Sequence, residues 1–98
     1  MPALGVGESG KYGQLVMRPL AEGLTLVFTP SLAALLTRAQ QLNGAALTED
    51  QVLRIRNGST VIVARRSDAR AMEEQRGYVD IDAADAWRSW LQLQETQS

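Results

Sequence analysis

The heptapeptide Gly5-Val6-Gly7-Glu8-Ser9-Gly10-Lys11 has the spacing G-x-x-x-x-G-K. In a phosphate-binding loop, that spacing lets backbone N–H groups wrap an anion while the lysine neutralises it. The chemistry also needs a Ser or Thr after the lysine for magnesium, a buried strand before the first glycine and a helix after the loop. Here Tyr12 stands where the hydroxyl ligand belongs, only Met1–Leu4 precede Gly5, and the residues from Gln14 read as a strand. No apolar run ends in a Walker-B aspartate, because Val61–Ala64 runs into Arg65. A glycine-rich arm explains the same residues, so the match is read as fortuitous.

Asp80, Asp82 and Asp85 gather three carboxylates within six residues, as a metal site would. The EF-hand pattern fails, with Ala84 at its fifth position, Asp85 at its glycine and Leu91 at its final glutamate. Asp82 is better placed as a helix cap, and Asp85 as a first-turn acid facing the helix dipole. A pair such as Glu73 and Asp80 has the residue types for acid–base work. Nothing marks a nucleophile beside it, and the chain has no His and no Cys. Thiolate zinc sites, iron–sulfur clusters, cysteine nucleophiles and histidine bases are therefore excluded. No catalytic residue, metal or cofactor is expected.

Binding is a better use of these side chains. Lys and Arg number 10 against 11 Asp and Glu, yet the charges segregate in the second half. Arg54, Arg56, Arg65, Arg66 and Arg70 oppose only Asp68, and Glu73, Glu74, Asp80, Asp82 and Asp85 oppose only Arg76. Such a surface steers a partner unless the two blocks pair with each other. Trp87 and Trp90 lie three apart on a helix, Trp87 as core and Trp90 as a candidate partner anchor. Arg54, Arg56 and Asn57 could read DNA from the second helix of a helix-turn-helix, although Glu49 and Asp50 in its first turn would repel phosphate. The expected partner is thus another protein. Nucleic acid is the weaker alternative, and a homodimer is the further option.

These residues need elements to hold them. Residues 1–13 read as a glycine-rich flexible arm, residues 14–94 as one globular domain and residues 95–98 as a frayed tail. Gln14–Arg18, Leu24–Phe28 and Thr60–Ala64 read as strands. Thr29 and Pro30 should start a helix whose stripe is Leu32, Leu35, Leu36, Ala39 and Leu42, closed by Asn43-Gly44. Thr48 and Gln51 have capping-box spacing, with Leu47 and Val52 as a hydrophobic staple, for a second helix ending at Asn57-Gly58. Ser67 or Asp68 should cap a third helix stopped by Gly77, and Asp82 a last one from Ala83 to about Gln94. The fold class is α+β, a small helix-rich single domain with a short antiparallel sheet. An all-α core with an extended N-terminal arm is the alternative. The expected core is Leu26, Leu32, Leu35, Leu36, Ala39, Leu42, Val52, Ile55, Val61, Val63, Met72, Ile81, Trp87 and Leu91.

Leu47-Thr48-Glu49-Asp50-Gln51-Val52 with Ile55-Arg56, then Arg76-Gly77-Tyr78-Val79-Asp80-Ile81-Asp82, Trp87 and Trp90, resembles a set of short uncharacterised bacterial proteins. The likeness covers about the last half of the chain and implies no catalytic residues. The loop at Gly5–Lys11 resembles that of heterotrimeric G-protein alpha subunits, in which Lys11 would be the phosphate lysine. No apolar stretch approaches the roughly 20 residues of a membrane helix. The N-terminus lacks the basic and apolar regions of a secretory signal, so a cytoplasmic location is expected. The function these residues point to is a non-catalytic interaction protein of accessory, inhibitory or immunity type.

Overall fold

Four successive β-branched residues, Thr60 to Val63, favour an extended chain. The strand they form, β3 (Thr60–Arg65), is the middle of a three-stranded antiparallel sheet in the order β1-β3-β2. Its neighbours are β1 (Ser9–Lys11) and β2 (Leu24–Phe28). The computed structural model describes residues 3–97, so Met1, Pro2 and Ser98, the ends of the expected arm and tail, lie outside the described residues. The helices are α1 (Tyr12–Leu15), α2 (Leu32–Asn43), α3 (Glu49–Gly58), α4 (Arg66–Arg76) and α5 (Ala86–Gln97), with a 3₁₀ turn at Ala83–Asp85 before the last. The fold is α+β, as expected.

The sheet has two unlike faces. Val61 and Val63 of β3, with Phe28 opposite Val61, join Leu32, Leu36, Val52, Ile81 and Trp90 in the main core. Ala64 is buried outside that cluster, on the face that also carries Thr25, Val27 and Ile62. α4 packs against β2 and β3 there.

Backbone hydrogen bonds on β3 alternate between its neighbours. Val63 N–H donates to Glu8 O at 2.8 Å and Tyr12 N–H to Ser59 O at 2.9 Å on the β1 side. On the β2 side, Arg66 N–H donates to Gly23 O at 3.0 Å and Thr29 N–H to Thr60 O at 3.4 Å. In an antiparallel ladder this parity continues, so Thr25 and Val27 aim their backbone groups at β3. Leu24, Leu26 and Phe28 aim theirs outward, at the free edge of the sheet.

The N-terminal segment departs from expectation. Residues 3–13 are not a loose arm: Leu4 is fully buried, its N–H bonds Pro19 O at 2.9 Å, and Ser9–Lys11 is a sheet strand. Gln14–Arg18 is not a strand either. Tyr12 and Leu15 are buried on the short helix α1, whose Gly13 meets α3 so closely that a Cβ would stand 3.2 Å from Asn57 Cβ and O. Sparse apolar residues hid this segment, because one buried leucine among glycines has no periodicity.

Helix starts were legible where a side chain caps locally. At α3 the Thr48–Gln51 capping box forms in both directions, Thr48 Oγ1 accepting from Gln51 N–H at 3.2 Å. α2 begins later than the sequence suggested, with Ser31 and not Thr29 as its cap, and Pro30 lies in a turn after a cis peptide bond. Its first N–H groups are filled from far along the chain. Asp80 accepts from Leu32 N–H and Ala33 N–H, each at 2.8 Å, and Ser31 Oγ accepts from Ala34 N–H at 3.1 Å. α4 carries neither Ser67 nor Asp68 as cap; it starts at Arg66, straight out of β3, without a side-chain cap bond. Gly44 and Gly77 close α2 and α4 at φ 74 and 80, a conformation cheap only for glycine.

The core of α5 is rotated by one residue from the expected stripe. Ala86 and Trp90 are buried, whereas Trp87 is half-buried and Leu91 exposed. Leu42 is exposed as well, at the last turn of α2 beyond its packing partners. α5 also continues through Gln97, where a frayed tail was expected from residue 95.

Replacing the Asp80 carboxylate should strip α2 of two N-terminal hydrogen bonds and leave buried donors unpaired. Asp80→Ala is expected to cost about 2–3 kcal/mol in urea unfolding. Asp85→Ala, which removes only an exposed pair with Arg88, should cost under about 0.5 kcal/mol.

Candidate functional site

A cleft of ≈ 440 Å³ follows the free edge of β2. Four consecutive strand residues, Thr25 to Phe28, line it. Successive side chains of a strand point to opposite faces, so the cleft wraps around the edge itself and does not lie on one face. Tyr12, Val16 and Leu20 wall it on the main-core side, and Ala69, Glu73 and Arg76 of α4 on the other. The segment Asp80–Ala84 closes it opposite the strand.

Its floor is apolar and rigid. The Tyr12 and Phe28 rings stack with centroids 5.4 Å apart and planes 28° apart. The Arg56 guanidinium lies 5.4 Å from the Tyr12 ring centroid and donates to Ala83 O at 3.0 Å. It thereby ties α3 and the segment after Asp82 to the ring. At one end of the strand, Arg76 Nη2 donates to Phe28 O at 2.9 Å. At the other, Leu24 N–H donates to Ala21 O at 3.2 Å. Of the outward-facing groups, Leu24 O, both groups of Leu26 and Phe28 N–H have no partner among the described residues. An open row of this kind is the usual template for a further strand.

The two charge blocks do not neutralise each other. Among the described residues, no ion pair joins Arg65, Arg66 or Arg70 to a carboxylate, and all three are exposed. They sit where β3 passes into α4, beside the Leu24 end of β2. Arg54 pairs within its own helix with Asp50 at 2.9 Å. Arg56 is occupied as above, so the two arginines that the weaker nucleic-acid alternative would use are committed elsewhere.

The acidic residues divide as well. Asp80 is a cap whose carboxylate also accepts from Ile81 N–H at 2.7 Å. Asp82 caps the 3₁₀ turn, accepting from Ala84 N–H at 3.1 Å, and Asp85 lies 3.6 Å from Arg88. Glu73 lines the cleft half-buried, and Glu74 is exposed on α4. No group of three or more metal-ligating side chains forms among the described residues.

Trp90, a candidate partner anchor in the sequence, is 1% exposed and belongs to the main core. A helix three-residue spacing left open which tryptophan faced inward; Trp90 joins the core cluster and Trp87 packs against its margin. At Gly5–Lys11 three backbone donors are already used: Gly5 N–H meets Glu8 Oε2, Glu8 N–H meets Gly5 O, and Gly7 N–H meets Val63 O. The edge groove itself escaped sequence reading. Leu24–Phe28 was legible as a strand, but its position at the sheet edge depends on where β1 and β3 pair.

No known protein family, curated protein or solved structure matches the chain.

Trp90→Ala should cost about 3–5 kcal/mol by chemical denaturation, as expected for a fully enclosed aromatic. The pair Arg65→Glu with Arg66→Glu should change stability by less than about 1 kcal/mol, because neither side chain has a partner among the described residues.

Proposed function

We propose that this chain is a non-catalytic protein-interaction domain of the cytoplasm, and that it binds an extended segment of another protein by strand addition to β2. The observation that carries the reading is Leu26. Its outward N–H and C=O stand unpaired in a cleft walled on both sheet faces. Strand addition supplies affinity through main-chain hydrogen bonds and specificity through alternate side-chain pockets.

Three further features support it. β2 reads Leu-Thr-Leu-Val-Phe, without the charges, prolines or bulges that usually blunt an exposed edge. The exposed apolar residues Val16, Met17 and Leu20 continue the cleft wall outward, where a bound segment would cover them. The polar side chains around the cleft mostly serve the fold: Arg76 holds Phe28 O, while Asp80 and Asp82 cap helices. That division suits a binding groove with a structural frame. Among the described residues no helix is long and apolar enough to cross a membrane.

Selection from a random linear peptide library displayed on phage tests the reading. Enriched peptides are expected to be β-prone and to lose binding to Leu26→Pro, which removes the outward N–H at a position where an edge strand tolerates proline. Methylating the central backbone nitrogen of a selected peptide should abolish its binding to the unaltered protein. Failure to enrich any peptide, or binding indifferent to that methylation, would overturn the proposal.

A further inference from the structure

The groove is electrically polar along its length, and that polarity fixes the orientation and chemistry of its occupant. This inference rests on strand addition at β2 and names the partner segment.

α4 runs alongside β2 in the same sense. Its first residue is tied to the start of the strand, Arg66 N–H to Gly23 O at 3.0 Å. Its last is tied to the end of the strand, Arg76 Nη2 to Phe28 O at 2.9 Å. The unpaired Arg65, Arg66 and Arg70 therefore flank the Leu24 end. Arg65 is directly opposite Leu24 in the ladder. These cations surround a helix N-terminus that has no side-chain cap, so the helix dipole adds to their positive field. Towards the Phe28 end the groove carries Glu73 and Asp82. Asp80 lines the same end, and the three carboxylates outnumber Arg76 and Arg56, which keep their charge while donating to the Phe28 and Ala83 carbonyls.

The backbone groups set what can pair. A segment antiparallel to β2 places one residue opposite Leu26 and exchanges two hydrogen bonds with it. Two residues further on, its N–H meets Leu24 O. Two residues earlier, its C=O meets Phe28 N–H. The two outward groups already used within the chain, Leu24 N–H and Phe28 O, lie at the ends of this match, so the central bonds are undisturbed.

We infer that the occupant is an extended peptide, antiparallel to β2, with a basic residue on the N-terminal side of the residue facing Leu26 and an acidic residue on its C-terminal side. The basic residue meets Glu73 and Asp82, and the acidic residue meets the Arg65, Arg66 and Arg70 cluster. The residue opposite Leu26 is apolar, because its side chain shares the sheet face of Leu26 beside Tyr12 and Val16. A segment with the charges exchanged would place like charges together at both ends.

Two synthetic peptides test this: acetyl-Thr-Lys-Val-Thr-Val-Thr-Val-Glu-Thr-amide and its counterpart with Lys and Glu exchanged. Binding is followed by backbone amide shifts of the whole chain. The first should bind about tenfold more tightly, equivalent to about 1.4 kcal/mol, and the difference should shrink with salt. In the double variant Arg66→Glu with Glu73→Lys the preference should be largely lost, because Arg65 and Arg70 are then balanced by the introduced carboxylate and Asp68; both changes favour the α4 dipole, so the helix should persist. Equal affinities with sensitivity to N-methylation of the central valine would refute the charge polarity and leave strand addition standing. No binding by either peptide, or binding insensitive to N-methylation, would remove strand addition and this inference together. A stable dimer with the Leu26 amide protected would show that a second copy occupies the edge, and would overturn the peptide occupant.

Discussion

Asp80 accepts hydrogen bonds from Leu32 N–H, Ala33 N–H and Ile81 N–H, all within 2.8 Å. Helix α2 would otherwise begin with its first donors unpaired against a buried Ser31, which is 2% exposed. The carboxylate is the anion that the positive end of the helix favours. It also fixes the chain after α4 to the sheet end of α2, with Tyr78 Oη and Ser31 Oγ 2.7 Å apart beside it. With that crossing held, Ile81 enters the core and the segment to Ala84 stands across from β2.

The sheet imposes the complementary constraint. β3 spends its backbone alternately on β1 and β2, which leaves it no free edge. β1 is only three residues long, a common way to blunt an edge. β2 is longer and apolar, and its outward backbone groups are satisfied only at the two ends, by the Ala21 carbonyl and the Arg76 guanidinium. Among the described residues, the unmet hydrogen-bonding capacity of β2 is therefore centred on Leu26, inside the cleft that Asp80 helps to enclose. Arg56 strengthens the same wall from the other side, by bridging Tyr12 and Ala83.

Much of this was legible in the sequence, for local reasons. The capping box at Thr48–Gln51, the αL glycines at 44 and 77, and the β-branched run at 60–63 each carry their own geometry. The α+β class followed from them. What escaped depends on contacts distant in sequence. Leu4 reads as part of a glycine-rich arm, because the bridge to Leu20 that accompanies its burial lies 16 positions further on. α2 starts at Leu32 because Asp80, 48 positions away, supplies its cap. Trp90 rather than Trp87 is enclosed, a choice set by how α5 packs on the core and not by the spacing of the two residues. The charge segregation was visible as composition, but its alignment with the two ends of β2 depends on α4 lying alongside that strand. The candidate groove joins residues from both ends of the chain, so no local pattern announces it.

Native-state amide hydrogen exchange of the unliganded protein tests the central claim most directly, residue by residue along β2. The account requires alternation. Thr25 and Val27, bonded to β3, should be protected to near the stability of the fold, and Leu26 between them should exchange at least about a hundredfold faster. Comparable protection of all three amides would show that the edge of β2 is already covered, and would contradict an open strand awaiting a partner.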